Sequence, residues 1–160
     1  MSIQFQKASL ADAKGLHRMQ IICFRPLLDK YGDVNTNPAA EPVERVQKRL
    51  QQPETDYYFI CLDTEKIGAI RVVRLPENTC RISPMFILPE FQGKGLAQET
   101  LAKIEKLYPQ AVCWQLDTIK EEAKLCHLYE KMGYLRTGHE ELINDRMHIV
   151  FYTKEKEPIS

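Results

Sequence analysis

The segment PMFILPEFQGKGLAQETLAKI, residues 84–104, constrains this chain more tightly than any other stretch. A short apolar run stops at Pro89, glycines follow at 93 and 95, and helical periodicity begins directly afterwards. A strand running through a glycine turn into a helix aims free backbone N–H groups at one spot, where the helix dipole adds partial positive charge. Such a turn can cradle a phosphate. It is not the nucleoside-triphosphate loop, which needs Ser or Thr after its Gly-Lys. Nor is it a dinucleotide fingerprint, which needs a third glycine and a place beside the first strand of a βαβ unit. A glycine-rich turn that binds nothing is the plain alternative.

The rest of the chain frames that turn. At 160 residues it has the length of one domain with one core. Its 22 basic and 22 acidic residues cancel, so no net field draws it to nucleic acid or to a membrane surface. No apolar run is long enough to span a bilayer, and the N-terminus MSIQFQKASLADAK has no signal-peptide core, so a cytoplasmic protein is expected. The cysteines at 23, 61, 80, 113 and 126 are odd in number and include no C-x-x-C pair. They read as small buried hydrophobes rather than as disulfides, zinc ligands or a catalytic thiol. The histidines are scattered, and no metal is expected.

Periodicity places the elements. Residues 3–8 alternate as a strand, Ser9 and Asp12 form a capping-box pattern, and a helix follows that Pro26 should end. Residues 24–42 should form an irregular connection, and Val43, Val46 and Leu50 mark a second helix. Strands over 57–62, 67–75 and 80–88 form an antiparallel meander, with Pro84 predicting a bulge or a local separation in the third. The helix after the glycine turn ends at Pro109, and a strand over 111–116 implies a right-handed parallel crossover. A helix over 121–132 stops at Gly133, and strands over 134–139 and 147–154 close the chain. The expected fold class is α/β (α+β): a single domain over 1–154, with about seven strands in a mixed, mostly antiparallel sheet flanked by about four helices, and a frayed tail at 155–160.

Two motifs then coincide. Gln92, Gly95 and Ala97 fit Q/R-x-x-G-x-G/A, preceded by Ile87-Leu88-Pro89 in place of V-x-P, and LYEKMGY at 128–134 fits L-Y-x-x-x-G-F/Y. In these residues the sequence resembles the GNAT superfamily of acyl-CoA-dependent N-acetyltransferases. The motifs cover roughly residues 80–135, and the order of elements matches over nearly the whole chain.

The resemblance implies a GNAT-like domain whose fourth and fifth strands splay apart. It implies acetyl-CoA as co-substrate, with the pyrophosphate of coenzyme A on Gln92, Gly93, Lys94, Gly95, Leu96 and Ala97 and the pantetheine arm along Phe86 and Ile87. Lys94 either adds a charge to that cradle or is simply solvated. Tyr129 is the implied catalytic residue, donating a proton to the departing thiolate; its apolar stripe with Leu125, Leu128 and Met132 also suits a core tyrosine. A phenol of pKa about 10 can protonate a thiolate whose acid has pKa near 8.5.

The general base is less legible. An ammonium of pKa about 10.4 must lose a proton before attack, at roughly 4 to 5 kcal/mol at pH 7. Some relatives carry a glutamate where this chain has Arg81, which leaves Ser83, Asp117, His127 or a water chain as relays. Arg81 either binds an acidic group of the substrate or pairs with a neighbouring strand. Glu122 and Leu125 replace the family's frequent Asn and Ala, and Glu122 is expected to turn to solvent. Acceptor choice falls to residues 24–41, where Phe24, Asp29, Tyr31 and Asp33 suit a cationic amine or merely pack on the core. The expected activity is transfer of an acetyl group from acetyl-CoA to a primary amine, on a small molecule or a peptide, by direct attack in a ternary complex. The competing reading is an acyl-CoA-binding sensor without catalysis. Homodimers are common in the family, but nothing in this sequence sets an interface.

Overall fold

The computed structural model describes residues 2–156. A seven-stranded sheet in the order β1-β2-β3-β4-β5-β7-β6 forms its centre. Its strands are β1 (Ile3–Lys7), β2 (Thr55–Leu62), β3 (Glu65–Leu75), β4 (Thr79–Ile87), β5 (Cys113–Ile119), β6 (Leu135–Asn144) and β7 (Met147–Glu155). The helices are α1 (Ala13–Tyr31), α2 (Val43–Gln51), α3 (Leu96–Lys106) and α4 (Ala123–Lys131). Every neighbouring pair is antiparallel except β4 and β5, which are parallel, as the crossover through α3 requires. The tail expected to fray is strand through Glu155, and Lys156 donates its N–H to the Val112 carbonyl; residues 157–160 lie outside the described residues.

The two faces of the sheet carry separate cores. Ile70, Val72, Ile82, Trp114, Leu116, Val150 and Tyr152 pack with Leu101 and Ile104 of α3 and Tyr129 of α4. On the other face Tyr57, Phe59, Ala69 and Phe86 pack with Ala13 and Leu16 of α1 and Val46 of α2. Strand alternation delivers one set to each side.

The first helix departs from the sequence expectation. α1 runs through Pro26 to Tyr31 and ends at Gly32, whose φ of 67° allows its N–H to cap the Leu28 carbonyl. Pro26 removes the donor to Ile22, but both residues are exposed and water can satisfy that carbonyl. Beyond the proline the helix is held by packing, because Leu27 and Tyr31 join Ile119 and Met147 in a small third core.

The β4 expectation holds. Val72 pairs with Ile82 and Ile70 with Met85, so Arg71 alone opposes Ser83 and Pro84 in a bulge. The ladder between β4 and β5 covers only Thr79–Arg81 against Cys113–Gln115. Past those residues the strands part, leaving a fork between the end of β4 and the end of β5.

Candidate active site at the strand fork

The fork opens a row of main-chain groups. Leu88 donates its N–H to Ile67 of β3, and by alternation Phe86 also faces β3 while Met85 and Ile87 face the gap toward β5. A Cβ on Gly68 would collide with the Phe86 carbonyl, which agrees with that orientation. Of the pair singled out in the sequence, Ile87 therefore presents its main chain to the fork. Phe86 instead turns its ring edge-on to Phe24 of α1, with centroids 5.8 Å apart. Gln92 donates from Nε2 to the Ile87 carbonyl at 2.9 Å and so fixes the turn to the end of β4.

The glycine turn has the geometry its sequence implied. Gly93 and Gly95 hold φ of 76° and 77°, a region costly for residues with a Cβ. The first backbone bond into α3 runs from the Glu99 N–H to the Gly95 carbonyl, and no side chain caps the helix. The N–H groups of residues 93–98 consequently have no acceptor among the described residues. An ideal Cβ at Gly93 or Gly95 meets nothing within 4 Å, so the concavity is open. Lys94 lies over the Phe91 ring, 5.8 Å from its centroid, and is exposed. Leu96 is buried beneath the turn and Ala97 is half-buried.

Tyr129 projects from α4 into the core beside the fork, its ring 6.1 Å from that of Tyr134 and 6.2 Å from that of Tyr152. The residue is 8 % exposed. The neighbouring Tyr152 hydroxyl is engaged with Glu130 and Arg136, and the Tyr129 hydroxyl makes no hydrogen bond among the described residues. Burial, with the Asp117 carboxylate adding to it, pushes the phenol above its ordinary pKa of 10. The hydroxyl thus stays protonated throughout the neutral range, while its gap from a thiol is wider than for a free phenol.

At the crotch of the fork Arg81 of β4 donates from Nη2 to Asp117 of β5 at 2.8 Å. This is the neighbouring-strand pairing weighed for Arg81. Burial raises the Asp117 carboxyl despite that partner, whose charge and hydrogen bond both pull it down. A cavity of about 430 Å³ opens beside the pair, bordered by Gln115, Thr137, His139, Phe151 and Thr153. Thr137 and His139 lie in the strand expected over 134–139, but β6 is exposed on both faces, so no burial alternation says which wall they join. Only the pairing of β6 to β7 brings them here. Ser83 is half-buried in the β4 bulge, whereas His127 is exposed on α4.

The remaining acceptor candidates divide. Phe24 reaches the core next to Phe86, but Asp29 is exposed on α1. Tyr31 and Lys30 both bond to Glu122 Oε2, Lys30 at 2.7 Å. Glu122 therefore does not turn to solvent as the sequence suggested. Burial pushes its pKa up, but hydrogen bonds from these two partners outweigh that and lower it. Asn144 and Arg146 donate to the Tyr31 carbonyl, so this end of α1 is tied to the β6–β7 turn. Asp33, only 3 % exposed, spends its oxygens on the N–H groups of Asn35 and Thr36 and the Thr36 hydroxyl. It organises the loop after α1. Burial, then Glu90, raises the Cys23 thiol to about 12, far from a thiolate nucleophile at neutral pH.

The comparisons with known proteins agree with this geometry. The family model described as "Acetyltransferase (GNAT) family" matches residues 17–134. An acetyltransferase from Thermus thermophilus superposes with a TM-score of 0.75 at 16 % identity, over 98 % of both chains. AAC(6')-Ib in complex with ribostamycin and coenzyme A gives 0.74 at 17 %, over 98 % of this chain and 94 % of that one. An acetyl transferase from Salmonella typhimurium that modifies the N-terminal serine of a 50S ribosomal subunit protein gives 0.76 at 16 %, over 98 % and 96 %. At these identities the structural likeness speaks for the fold, and the family model covers most of the chain. The chain belongs to the GNAT acetyltransferase family.

Proposed function

We propose that this protein transfers an acetyl group from acetyl-CoA to a primary amine. The observation that carries the reading is the turn at 93–98, whose unpaired N–H groups face open space at the N-terminus of α3, in line with the free edge of β4. That cradle fits a pyrophosphate. The AAC(6')-Ib structure, which holds coenzyme A, shares the fold. Residues 93–98 would hold the phosphates, and Met85 and Ile87 would offer main-chain groups to the pantetheine amides. When bound, acetyl-CoA supplies an activated acetyl thioester.

The chain's own residues provide the rest. Tyr129 keeps its proton in a mostly buried setting, which suits it to donate to the sulfur that leaves. The raised Asp117 carboxyl at the crotch is the acid–base group nearest in character to a relay for the amine proton. The bulged β4 edge orients N–H groups toward the gap, where developing oxygen charge can be held. The AAC(6')-Ib structure also holds ribostamycin, an amine-bearing molecule, which supports amine chemistry without fixing the substrate here.

The sensor reading draws on Arg81, which stands where some relatives place a base and is paired with Asp117. A thiol-release assay over polyamines, aminoglycosides, amino acids and peptides separates the two readings. Acetyl-CoA binding with no release from any amine would favour the sensor. The domain assignment 1–154, a cytoplasmic setting and a homodimer belong to the same proposal. No helix among the described residues is long and apolar enough to cross a membrane.

A further inference from the structure

Beyond the fork, the α1–α2 face of the sheet holds a polar cluster that neither the cradle nor Tyr129 uses. Tyr57 of β2 and Arg71 of β3 are directly paired across the ladder and lie on this face, against α2. Arg71 donates from Nη1 to the Ser83 carbonyl at 2.7 Å, in the bulge where β4 leaves β5, and from Nη2 to Gln52 Oε1 at 2.9 Å. Its Nε is buried with no partner, and so are the Tyr57 hydroxyl and Gln20 Oε1. Tyr57 is 2 % exposed and Gln20 is fully buried.

Arg49 is neutralised by Glu41 at 2.6 Å, and Arg81 by Asp117 at 2.8 Å. Arg71 hydrogen-bonds only to neutral oxygens. Glu54 attracts it electrostatically but forms no ion pair with it. Arg81 stands one diagonal step away on the same face, since Val73 pairs with it. Burial first, and Arg49 second, lower the Arg71 guanidinium to about 10, so at neutral pH it is still a cation. A half-buried guanidinium with no bonded counter-charge, beside an orphaned phenol, is an expensive arrangement unless an anion completes it.

We propose that Arg71, with the Tyr57 hydroxyl beside it, is the anion anchor of the acceptor site, and that the amine acetylated here carries a carboxylate on the same molecule. The proposal rests on the transferase reading and deepens it: Ser83 links Arg71 to the mouth of the fork, so a carboxylate held there leaves the amine of the same molecule near the gap. Arg81, already paired to Asp117, lines the adjoining cavity. The anchor places the substrate among amino acids and carboxylate-bearing amines rather than polyamines.

The test uses matched amines, α-amino acids and dipeptides against their C-terminal amides, assayed by thiol release and by calorimetric titration with and without coenzyme A. The acid of a productive pair should show a KM about ten- to a hundredfold below that of its amide, the range for a charge-assisted hydrogen bond. In Arg71→Gln that ratio should collapse toward one, while Arg71→Lys should restore part of it. A purely structural arginine would move stability and leave the acid-to-amide ratio unchanged, and that result overturns the proposal. So does equal or better performance by the amide in every pair, or no titratable binding of any acid. If Arg71→Gln fails to fold, the parent's ratio and Arg71→Lys decide. Loss of coenzyme A binding, by contrast, would strike the transferase reading, and the coenzyme-free titrations would still judge Arg71.

Discussion

A charge placed at Gly95 tests the cradle directly. With φ of 77° and ψ of 8°, Gly95 occupies the left-handed region, where Asn and Asp are the best-tolerated replacements. No atom lies within 4 Å of an added Cβ, so neither residue clashes. Gly95→Asn and Gly95→Asp therefore share the same backbone strain, about 1 kcal/mol, and both should melt a few degrees below the parent. They differ in one charge. At about 6 Å in water a carboxylate repels each phosphate charge by about 0.7 kcal/mol, so a pyrophosphate with two charges loses about 1.4 kcal/mol, or tenfold in affinity. Lower local dielectric enlarges the difference, and salt shrinks it over a Debye length of about 10 Å at 0.1 M. Calorimetric titration of coenzyme A into both variants at low and high salt measures this. Equal dissociation constants for Asn and Asp at low salt would refute the cradle, whatever happened to stability.

Other perturbations follow from the same geometry. Tyr129→Phe keeps the ring contacts with Tyr134 and Tyr152, so its melting temperature should match or exceed the parent's while turnover falls about a hundredfold or more. Turnover at the parent rate across the pH range would make the tyrosine structural. Because burial raises this phenol, the pH–rate profile should show no loss of the donor as pH climbs through the ordinary phenol value of 10. Gly68→Ala drives a methyl into the Phe86 carbonyl and should destabilise by about 1 to 3 kcal/mol, read as a lower denaturant midpoint, with weaker coenzyme A binding because the free edge of β4 must shift. Glu122 has a folded-state pKa below its ordinary 4.5, so its stabilising effect is full above that value and fades as pH falls through the lowered one. Melting curves of the parent and Glu122→Gln should therefore differ at pH 7, and the gap should narrow as pH falls below 4.5; a constant gap would mean that the contacts with Lys30 and Tyr31 carry no ionic component.

Local chemistry made the cradle legible. Glycines at 93 and 95 permit a backbone that other residues resist, and the helix after them needs only its own periodicity. Gly133, with φ of 96°, ends the α4 region for the same reason. Pro84 marked the bulge because a missing donor disturbs any ladder. Pro26 misled by the same logic: its local penalty is real, but packing of Leu27 and Tyr31 against Ile119 and Met147 outweighs it. The end of α1 is thus a tertiary decision, as is the fate of Glu122, whose partners are about ninety positions away in the chain.

By itself the sequence determined where backbone strain and free donors fall, and hence the turn, the crossover and the family. Those properties depend on residues within a few positions of one another. The tertiary structure alone decided which side chains meet: Arg81 with Asp117, His139 with the cavity, Tyr57 with Arg71. Such meetings depend on strand register and on which face each alternation presents, and β6, exposed on both faces, left no periodic trace of its place. The proposed donor site was therefore written locally. The proposed acceptor site took shape only when distant strands were set side by side.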